Sequence, residues 1–135
     1  MTSDFIGRGE RRALGIIEKM FSKYSVLTQV PIKSILSKEA YETLGEEHKK
    51  HKHDIVIERA TSHIIVEVNY QHGSIAEQKW KVYKRLLESE GHLTVTIDDY
   101  NCKSLFQLDN GVHVNTDQDV KDVLNAFEMS GVQTC

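Results

Sequence analysis

Residues 53–72 read HDIVIERATSHIIVEVNYQH, and this stretch gives the clearest structural signal in the chain. It contains two runs rich in β-branched residues, at 54–57 and 64–68, with a short polar segment between them. This is the pattern of two strands joined by a turn. Because both runs are nearly continuous in apolar residues, we expect both faces of each strand to be buried. The short connection predicts an antiparallel hairpin.

The hairpin is expected to bring two carboxylates together. A turn centred between Ala60 and Thr61 places Asp54 directly opposite Glu67, with their Cβ atoms about 5 Å apart. Two carboxylates in an apolar hairpin repel each other and are tolerated when they share a cation or a proton. A hard cation such as Mg²⁺ binds carboxylate and carbonyl oxygens, so the pair predicts a metal site.

A purely structural role for the two carboxylates is the alternative. Asp54 could cap the start of its strand, and Glu67 could pair with a lysine of the following helix. Glu67, however, lies inside the run IIVEV at residues 64–68. An ionisable group in such a run is costly unless it is paired or bound to a metal, and this favours the metal site.

The remaining elements follow from hydrophobic periodicity and from start and stop signals. We predict a first helix over residues 9–24, an edge strand over 25–31 that ends at a proline, a loop with one or two helical turns over 32–50, a helix over 74–90 stopped by Gly91, a strand over 93–97, an irregular tail over 100–115 and a terminal helix over 117–129.

Apolar positions define the expected buried faces of the helices. They are Leu14, Ile17, Met20, Phe21 and Tyr24 in the first helix, Ile75, Trp80, Val82, Tyr83, Leu86 and Leu87 in the second, and Val120, Leu124 and Phe127 in the third, which Thr116 caps. The helix before residue 93 permits a parallel crossover back to the same sheet. We therefore predict an α/β fold with a mixed sheet of about four strands flanked by helices on both faces, in the order α-β-β-β-α-β.

Composition sets limits on the class of protein. The chain of 135 residues has a net charge of −3 and two cysteines, Cys102 and Cys135, without metal-ligand spacing. We expect one domain over residues 1–135, with reduced thiols and a cytoplasmic location. The sequence lacks an apolar run long enough for a membrane span. Basic residues cluster at 49–53 and at 79–85, which weakly favours a polyanionic partner on one side.

The stretch at 53–72, followed by a helix ending in KRLLESEGH and a strand LTVTIDD, resembles the PD-(D/E)XK nuclease superfamily. The resemblance is nearest to its very-short-patch-repair and EDxHD homing-endonuclease-like branch. That branch has an aspartate before an apolar strand, matched by Asp54, and a glutamate near the end of the next strand, matched by Glu67. It also has a glutamate in the first helix, matched by Glu10. The similarity covers about residues 8–100, a restriction-endonuclease-like core, and leaves 101–135 as a C-terminal extension.

The resemblance implies Mg²⁺-dependent hydrolysis of DNA phosphodiester bonds, with Mn²⁺ as a substitute. It assigns the metal to Asp54, Glu67 and the Val68 carbonyl, and places Glu10 at the edge of the site. His72 becomes a candidate proton shuttle. Asn69 stands where the family usually has an acidic residue or a lysine, and Lys81 of the following helix is a candidate replacement for the lysine.

Several further side chains are candidates for contact with DNA. These are Lys50, Lys52, His53, Gln71, Lys84 and Arg85. A solvated loop is the alternative for the histidines; it is favoured for His51 and balanced against a role in the site for His53. Lys81 and Lys84 could instead pair with Glu77 and Glu88 along the helix, and Trp80 and Tyr83 are expected to be core residues.

Three functions remain open. The first is a DNA endonuclease of the repair, recombination, restriction or homing type. The second is a catalytically inactive nuclease-fold module that binds nucleic acid or a protein, which Asn69 keeps open. The third is a structural protein with both carboxylates in salt bridges. A homodimer or a larger assembly partner is compatible with each of them, and the cell interior of a bacterium or of a phage-infected host is the expected location.

Overall fold

The computed structural model describes residues 8–60, 62–68, 75–97 and 112–134. Two short 3-10 helices, Ile32–Ser34 and Glu46–His48, flank a small helix in the segment between the first two strands. The regular elements are α1 (Arg8–Met20), β1 (Ser25–Pro31), α2 (Lys38–Glu42), β2 (Lys52–Glu58), β3 (Ile64–Val68), α3 (Ile75–Ser89), β4 (Leu93–Ile97) and α4 (Asp117–Thr134). The expected α/β element order is confirmed.

The four strands form one mixed sheet in the order β1-β2-β3-β4. β1 pairs antiparallel with β2, β2 antiparallel with β3, and β3 parallel with β4. β1 is therefore an edge strand that ends at Pro31, as expected for a residue that cannot donate to a ladder. The crossover through α3 returns the chain to the sheet in parallel, which confirms the prediction.

The register of the central hairpin matches a turn centred between Ala60 and Thr61. Ile55 lies opposite Val66, and Ile57 opposite Ile64. β2 begins before the apolar run and ends after it, because β1 pairs along its full length from Lys52 to Glu58. The hairpin geometry that was inferred from residues 53–72 is thus confirmed.

The sheet separates two apolar clusters. On one face α1 and α4 pack against inward side chains such as Ile55, Ile57 and Val66. On the other face α3 and the segment after β1 pack against Val56 and Ile65. We refer to these as the first and the second cluster. Both faces are covered, which explains why β2 and β3 are nearly continuous in apolar residues.

The buried face of α3 is narrower than predicted. Trp80, Tyr83 and Leu87 are buried at helical spacing, but Ile75 is 71% and Val82 42% exposed. Predicting those two as core residues was wrong. They lie on the helix at angles well away from the line through the three buried side chains, so they face outward.

The helix ends show where local signals determine the boundaries. α3 ends before Gly91, whose φ of 89° is the left-handed conformation that favours glycine. Thr116 caps α4: its Oγ1 accepts from the Asp119 amide at 3.1 Å, and the Asp119 carboxylate accepts from the Thr116 amide at 2.9 Å. α1 ends at Met20, earlier than predicted, and α4 continues to Thr134, beyond the predicted end. The Phe127 side chain, the first part of the tail and Asp98 lie outside what is described.

Within the described ranges, no helix has the length and apolar character needed to cross a bilayer.

We expect Leu87→Ala to destabilise the protein by about 2–5 kcal/mol, because Leu87 is fully buried in the second cluster and its loss leaves a cavity. Urea unfolding followed by circular dichroism measures this change. Val82→Ala on the same helix is the control, and we expect a change below about 1 kcal/mol since Val82 is exposed. Equal losses for both variants would contradict the observed orientation of α3.

Candidate functional site

The site is centred on Glu67, near the end of the interior strand β3. Ile65, two residues earlier, packs in the second cluster, so strand alternation turns Glu67 toward the same face. Only 8% of Glu67 is exposed. A carboxylate is therefore held in the apolar layer between the sheet and α3.

Asp54 continues the β2–β3 contact beyond the last backbone pair, Ile55 with Val66. Its Oδ2 accepts a hydrogen bond from the Val68 amide at 2.9 Å. The Gln29 side chain also donates to the Asp54 carboxylate. These hydrogen bonds fix Asp54 beside β3, where its carboxylate contacts Val68, the residue that follows Glu67.

Gln29 has an unusual backbone. Its φ of 52° is the one positive value at a non-glycine residue within the described part of the chain. It lies in β1 between two regular pairs, Thr28 with Ile55 and Val30 with His53. Because a left-handed glutamine costs free energy, its presence opposite Asp54 marks a locally strained point of the sheet.

His53 departs from the alternation of β2. Ile55 packs in the first cluster, and strict alternation would direct His53 to the same face. Its ring instead contacts Trp80 and Tyr83, at centroid distances of 6.1 and 5.9 Å. The alternation is interrupted across from Gln29, and the fully buried His53 ring lies on the same side of the sheet as Glu67.

Tyr83 organises the histidines. His51 stacks on its ring with a centroid distance of 4.2 Å and an interplanar angle of 21°. The Tyr83 hydroxyl forms a hydrogen bond of 2.8 Å with Nδ1 of His48. His51 also lies 4.7 Å from His53, edge to face. The expectation that His51 is solvated is wrong, because the ring packs between Tyr83 and His53.

Several polar atoms of this group are buried and unsatisfied. Both ring nitrogens of His53, Nε2 of His51 and Oε1 of Glu67 have no hydrogen-bond partner among the residues that are described. Such atoms are rare in folded proteins and point to a bound ion or another ligand. One ligand atom from each of the three residues lies within 4.8 Å of the others.

The electrostatics follow from burial. Burial, together with the charges of Asp54 and Glu10, raises the pKa of Glu67 to about 9. Burial also raises the pKa of Asp54, while the hydrogen bonds from Val68 and Gln29 oppose that rise. Three carboxylates thus act on one another here, and the site favours a proton or a cation on Glu67.

The histidines are held neutral. Burial lowers the pKa of His53 to about 3, with a further contribution from His51. Burial, followed by the charges of Lys79 and His48, lowers the pKa of His51 to about 4. At neutral pH each imidazole therefore keeps an unprotonated nitrogen, the form that binds metals.

Of the residues that the sequence singled out, His53 and Glu67 lie together, with His51, and one ligand atom of each lies within 4.8 Å of the others. Asp54 bonds to the Val68 amide beside this group, and Glu10 acts on Glu67 through its charge. Lys81 is exposed on α3, and Lys79 is the lysine whose charge acts on His51. Lys84, a candidate for DNA contact, bonds to Glu88 at 2.9 Å and to Thr94 at 3.1 Å, so the alternative pairing along the helix is present for this lysine. Lys50, Lys52 and Arg85 are exposed. Val68 contributes its amide, and Asn69, Gln71 and His72 lie outside the described residues.

Sequence reasoning missed two contributors: Gln29, and His51 in its packed position. The spacing of His51 and His53 by two residues was the available signal for the histidines, since such spacing can direct both side chains to one face of a strand. No pattern in the sequence marks the positive φ of Gln29. The burial of Trp80 and Tyr83 as core residues is confirmed.

The donor set can hold a divalent cation. Carboxylate oxygens of Asp54 and Glu67 fit a hard ion such as Mg²⁺. Neutral imidazoles together with a carboxylate fit transition metals. A cation in this place would neutralise the repulsion between the carboxylates and act as a Lewis acid toward an oxygen of a substrate.

In metal-free buffer, we expect Glu67→Gln to stabilise the protein increasingly as the pH rises from about 5 to 9. The folded-state pKa of about 9 exceeds the ordinary value of 4.5, so folded Glu67 retains a proton that the unfolded chain releases. The wild type therefore loses stability through this window by up to about 1.4 kcal/mol per pH unit, and the glutamine variant does not.

Urea unfolding at pH 5 and at pH 8 with a chelator present tests this expectation. Glu58→Gln, at the exposed end of β2, is the matched control and should follow the wild type at both pH values. A Glu67→Gln variant with the same pH dependence as the wild type would contradict the buried, protonated carboxyl group.

Comparison with known proteins supplies no template for this site. No protein-family model, no curated protein and no solved structure matches the chain. The function is therefore inferred from the residues and their geometry.

Proposed function

We propose that the protein is a metal-dependent deoxyribonuclease, an endonuclease that hydrolyses DNA phosphodiester bonds with Mg²⁺, or with Mn²⁺ in its place. The observation that carries the proposal is the position of Glu67, which is only 8% exposed near the end of β3 and lies beside Asp54, whose Oδ2 accepts from the Val68 amide at 2.9 Å. Burial, with the charges of Asp54 and Glu10, raises the pKa of Glu67 to about 9. A buried ionisable group with a strongly raised pKa is typical of functional positions. The resemblance of residues 8–100 to PD-(D/E)XK nucleases supports the same assignment.

Asp54 and Glu67 would hold the cation, with the Val68 carbonyl as a further ligand. When bound, the cation supplies Lewis-acid stabilisation of the phosphate and lowers the pKa of a coordinated water. Asp54 is already oriented by the Val68 amide and by Gln29. Glu10 would bind a water or a second ion at the edge of the site, and Asn69 would contribute a hydrogen bond.

The histidines suit binding better than proton transfer. With a pKa of about 3, His53 cannot hold a proton near neutral pH, so it is a poor proton shuttle. A neutral imidazole can still donate one hydrogen bond to a phosphate oxygen. We assign proton transfer to His72, which follows β3 in the sequence.

DNA would be bound through the cations near the site. Lys50 and Lys52 are exposed where the chain enters β2, and Lys79 lies close enough to His51 to lower its pKa. Further contacts along α3 and with the residues before it would come from Lys81, Lys84, Arg85 and Gln71. Cations that contact phosphates make binding strongly dependent on salt. A second copy of the chain or a larger assembly inside the cell would supply further DNA contacts.

A catalytically inactive module that binds nucleic acid or a protein is the second candidate function. Asn69 favours it, because an amide in place of an acidic residue or a lysine can neither accept a proton nor carry a charge. The exposed position of Lys81 on α3 also leaves the catalytic lysine unassigned. This candidate predicts salt-sensitive binding of DNA without cleavage.

Cleavage of supercoiled plasmid and of short labelled duplexes with Mg²⁺ or Mn²⁺ tests the proposal. We expect Asp54→Asn and Glu67→Gln to reduce the cleavage rate by at least about 100-fold, because each removes a charge that holds the cation. Both substitutions are close to isosteric, so circular dichroism should show the same fold for each variant as for the wild type.

Glu58→Gln and Asp122→Asn, both on exposed positions away from the site, should cleave as the wild type does. Cleavage that survives in both site variants would overturn the assignment of Asp54 and Glu67. Absence of cleavage by the wild type, together with DNA binding that weakens with salt, would favour the inactive module.

A further inference from the structure

We propose that His51, His53 and Glu67 form a binding site for one divalent transition-metal ion of the Mn²⁺, Fe²⁺, Co²⁺ and Zn²⁺ class. The site shares Glu67 with the proposed nuclease centre, but it depends on two imidazoles that an all-oxygen Mg²⁺ site does not need. It therefore stands whether or not the protein cleaves DNA.

The ligand atoms of the three residues lie close together. One nitrogen from each histidine and one oxygen from Glu67 lie within 4.8 Å of one another. Ligands around a tetrahedral Zn²⁺ ion lie roughly 3.4 Å apart, given metal–ligand distances of about 2.0–2.1 Å. Contraction by at most about 1.4 Å, within the range of side-chain rotation, would close the site around an ion.

Buried polar atoms of the same three side chains lack hydrogen-bond partners among the described residues. His53 is fully buried, yet neither of its ring nitrogens has a hydrogen-bond partner among the described residues. Nε2 of His51 and Oε1 of Glu67 share this property. Burying an unsatisfied polar atom is costly, and each of the three residues has at least one such atom. A single cation would satisfy one atom from each residue at once.

The surroundings orient the ligands. His51 lies parallel to the Tyr83 ring at 4.2 Å, and the Tyr83 hydroxyl is bonded to His48. Trp80, which contacts His53, is fixed by a hydrogen bond of 2.7 Å from its Nε1 to Thr96 Oγ1. Ring packing of this kind restricts the rotation of both imidazoles. These aromatic residues thus connect the site to the second cluster.

The donor types select the class of ion. Mg²⁺ prefers six oxygen ligands and retains several waters, and imidazole is a poor ligand for it. Two imidazoles and one carboxylate are a common set for Zn²⁺ and for Fe²⁺, with positions left for water or substrate. Lys79 acts against a cation at His51, but its side chain is exposed and the solvent screens its charge.

Titration of the chelator-treated full-length protein with Co²⁺ and Zn²⁺ tests the proposal. We expect one ion to bind per chain, with visible Co²⁺ absorption bands that Zn²⁺ abolishes and a tenfold excess of Mg²⁺ does not. His51→Phe and His53→Phe should weaken binding by at least about 100-fold, more than the loss of an outer contact does. Phenylalanine keeps the ring contacts with Tyr83 and Trp80.

His113→Phe, at an exposed position, is the matched control and should bind as the wild type does. Because a histidine variant could fail to fold, imidazole ¹⁵N shifts of the wild type are recorded as Zn²⁺ is added. Two histidine resonances should shift together, and each of the two should be missing from the spectrum of one variant, which assigns it to His51 or to His53. Binding at wild-type strength in both variants, or no shifted imidazoles in the wild type, would overturn the site. Mg²⁺-dependent cleavage without Co²⁺ binding would overturn this inference and leave the nuclease proposal intact.

Discussion

A carboxyl group buried near the end of an interior, apolar strand is the constraint to which the rest of the structure responds. Glu67 is only 8% exposed, and the charges of Asp54 and Glu10 raise its pKa further than burial alone would. Either a proton or a bound cation is required in such a place, because an isolated buried charge is very costly. The site therefore couples stability to whatever neutralises Glu67.

The second cluster connects this constraint to the fold. Tyr83 and Trp80 are core residues of α3, and the same two rings contact His51 and His53. Packing that stabilises the domain thus also fixes the imidazoles beside Glu67. In β1, Gln29 adopts a strained φ of 52°, and its side chain donates a hydrogen bond to the Asp54 carboxylate. Strain of this kind persists where the surroundings enforce it, and it commonly accompanies functional sites.

Much of the fold could be predicted because its signals are local. The β-branched runs at 54–57 and 64–68, the proline at position 31 and Gly91 determine the hairpin, the edge strand and the end of α3. The hairpin register followed from the position of one turn. The outward direction of Ile75 and Val82 could not be predicted, since an apolar side chain on a helix does not reveal how wide a face the sheet covers.

The site was predictable only in part for a related reason. Asp54 and Glu67 are visible because they interrupt apolar strands, whereas the packing of His51 on Tyr83 depends on residues 32 positions apart in sequence. The break in alternation at His53 arises from β1, through Gln29, and no local pattern records it. The lysine near His51 is Lys79 and not Lys81, a difference that depends on the rotation of α3 against the sheet.

The ionisation of Glu67 is most directly measured by the ¹³C chemical shift of its side-chain carboxyl group. The shift is recorded across a pH titration, with and without Zn²⁺. In the presence of a chelator we expect titration with a pKa of about 9, well above the ordinary value of 4.5. With the metal bound, the group should be ionised at pH 7, because coordination displaces the proton. If the carboxyl group titrates near its ordinary pKa in metal-free protein and does not respond to the metal, Glu67 does not hold a proton that a bound cation replaces.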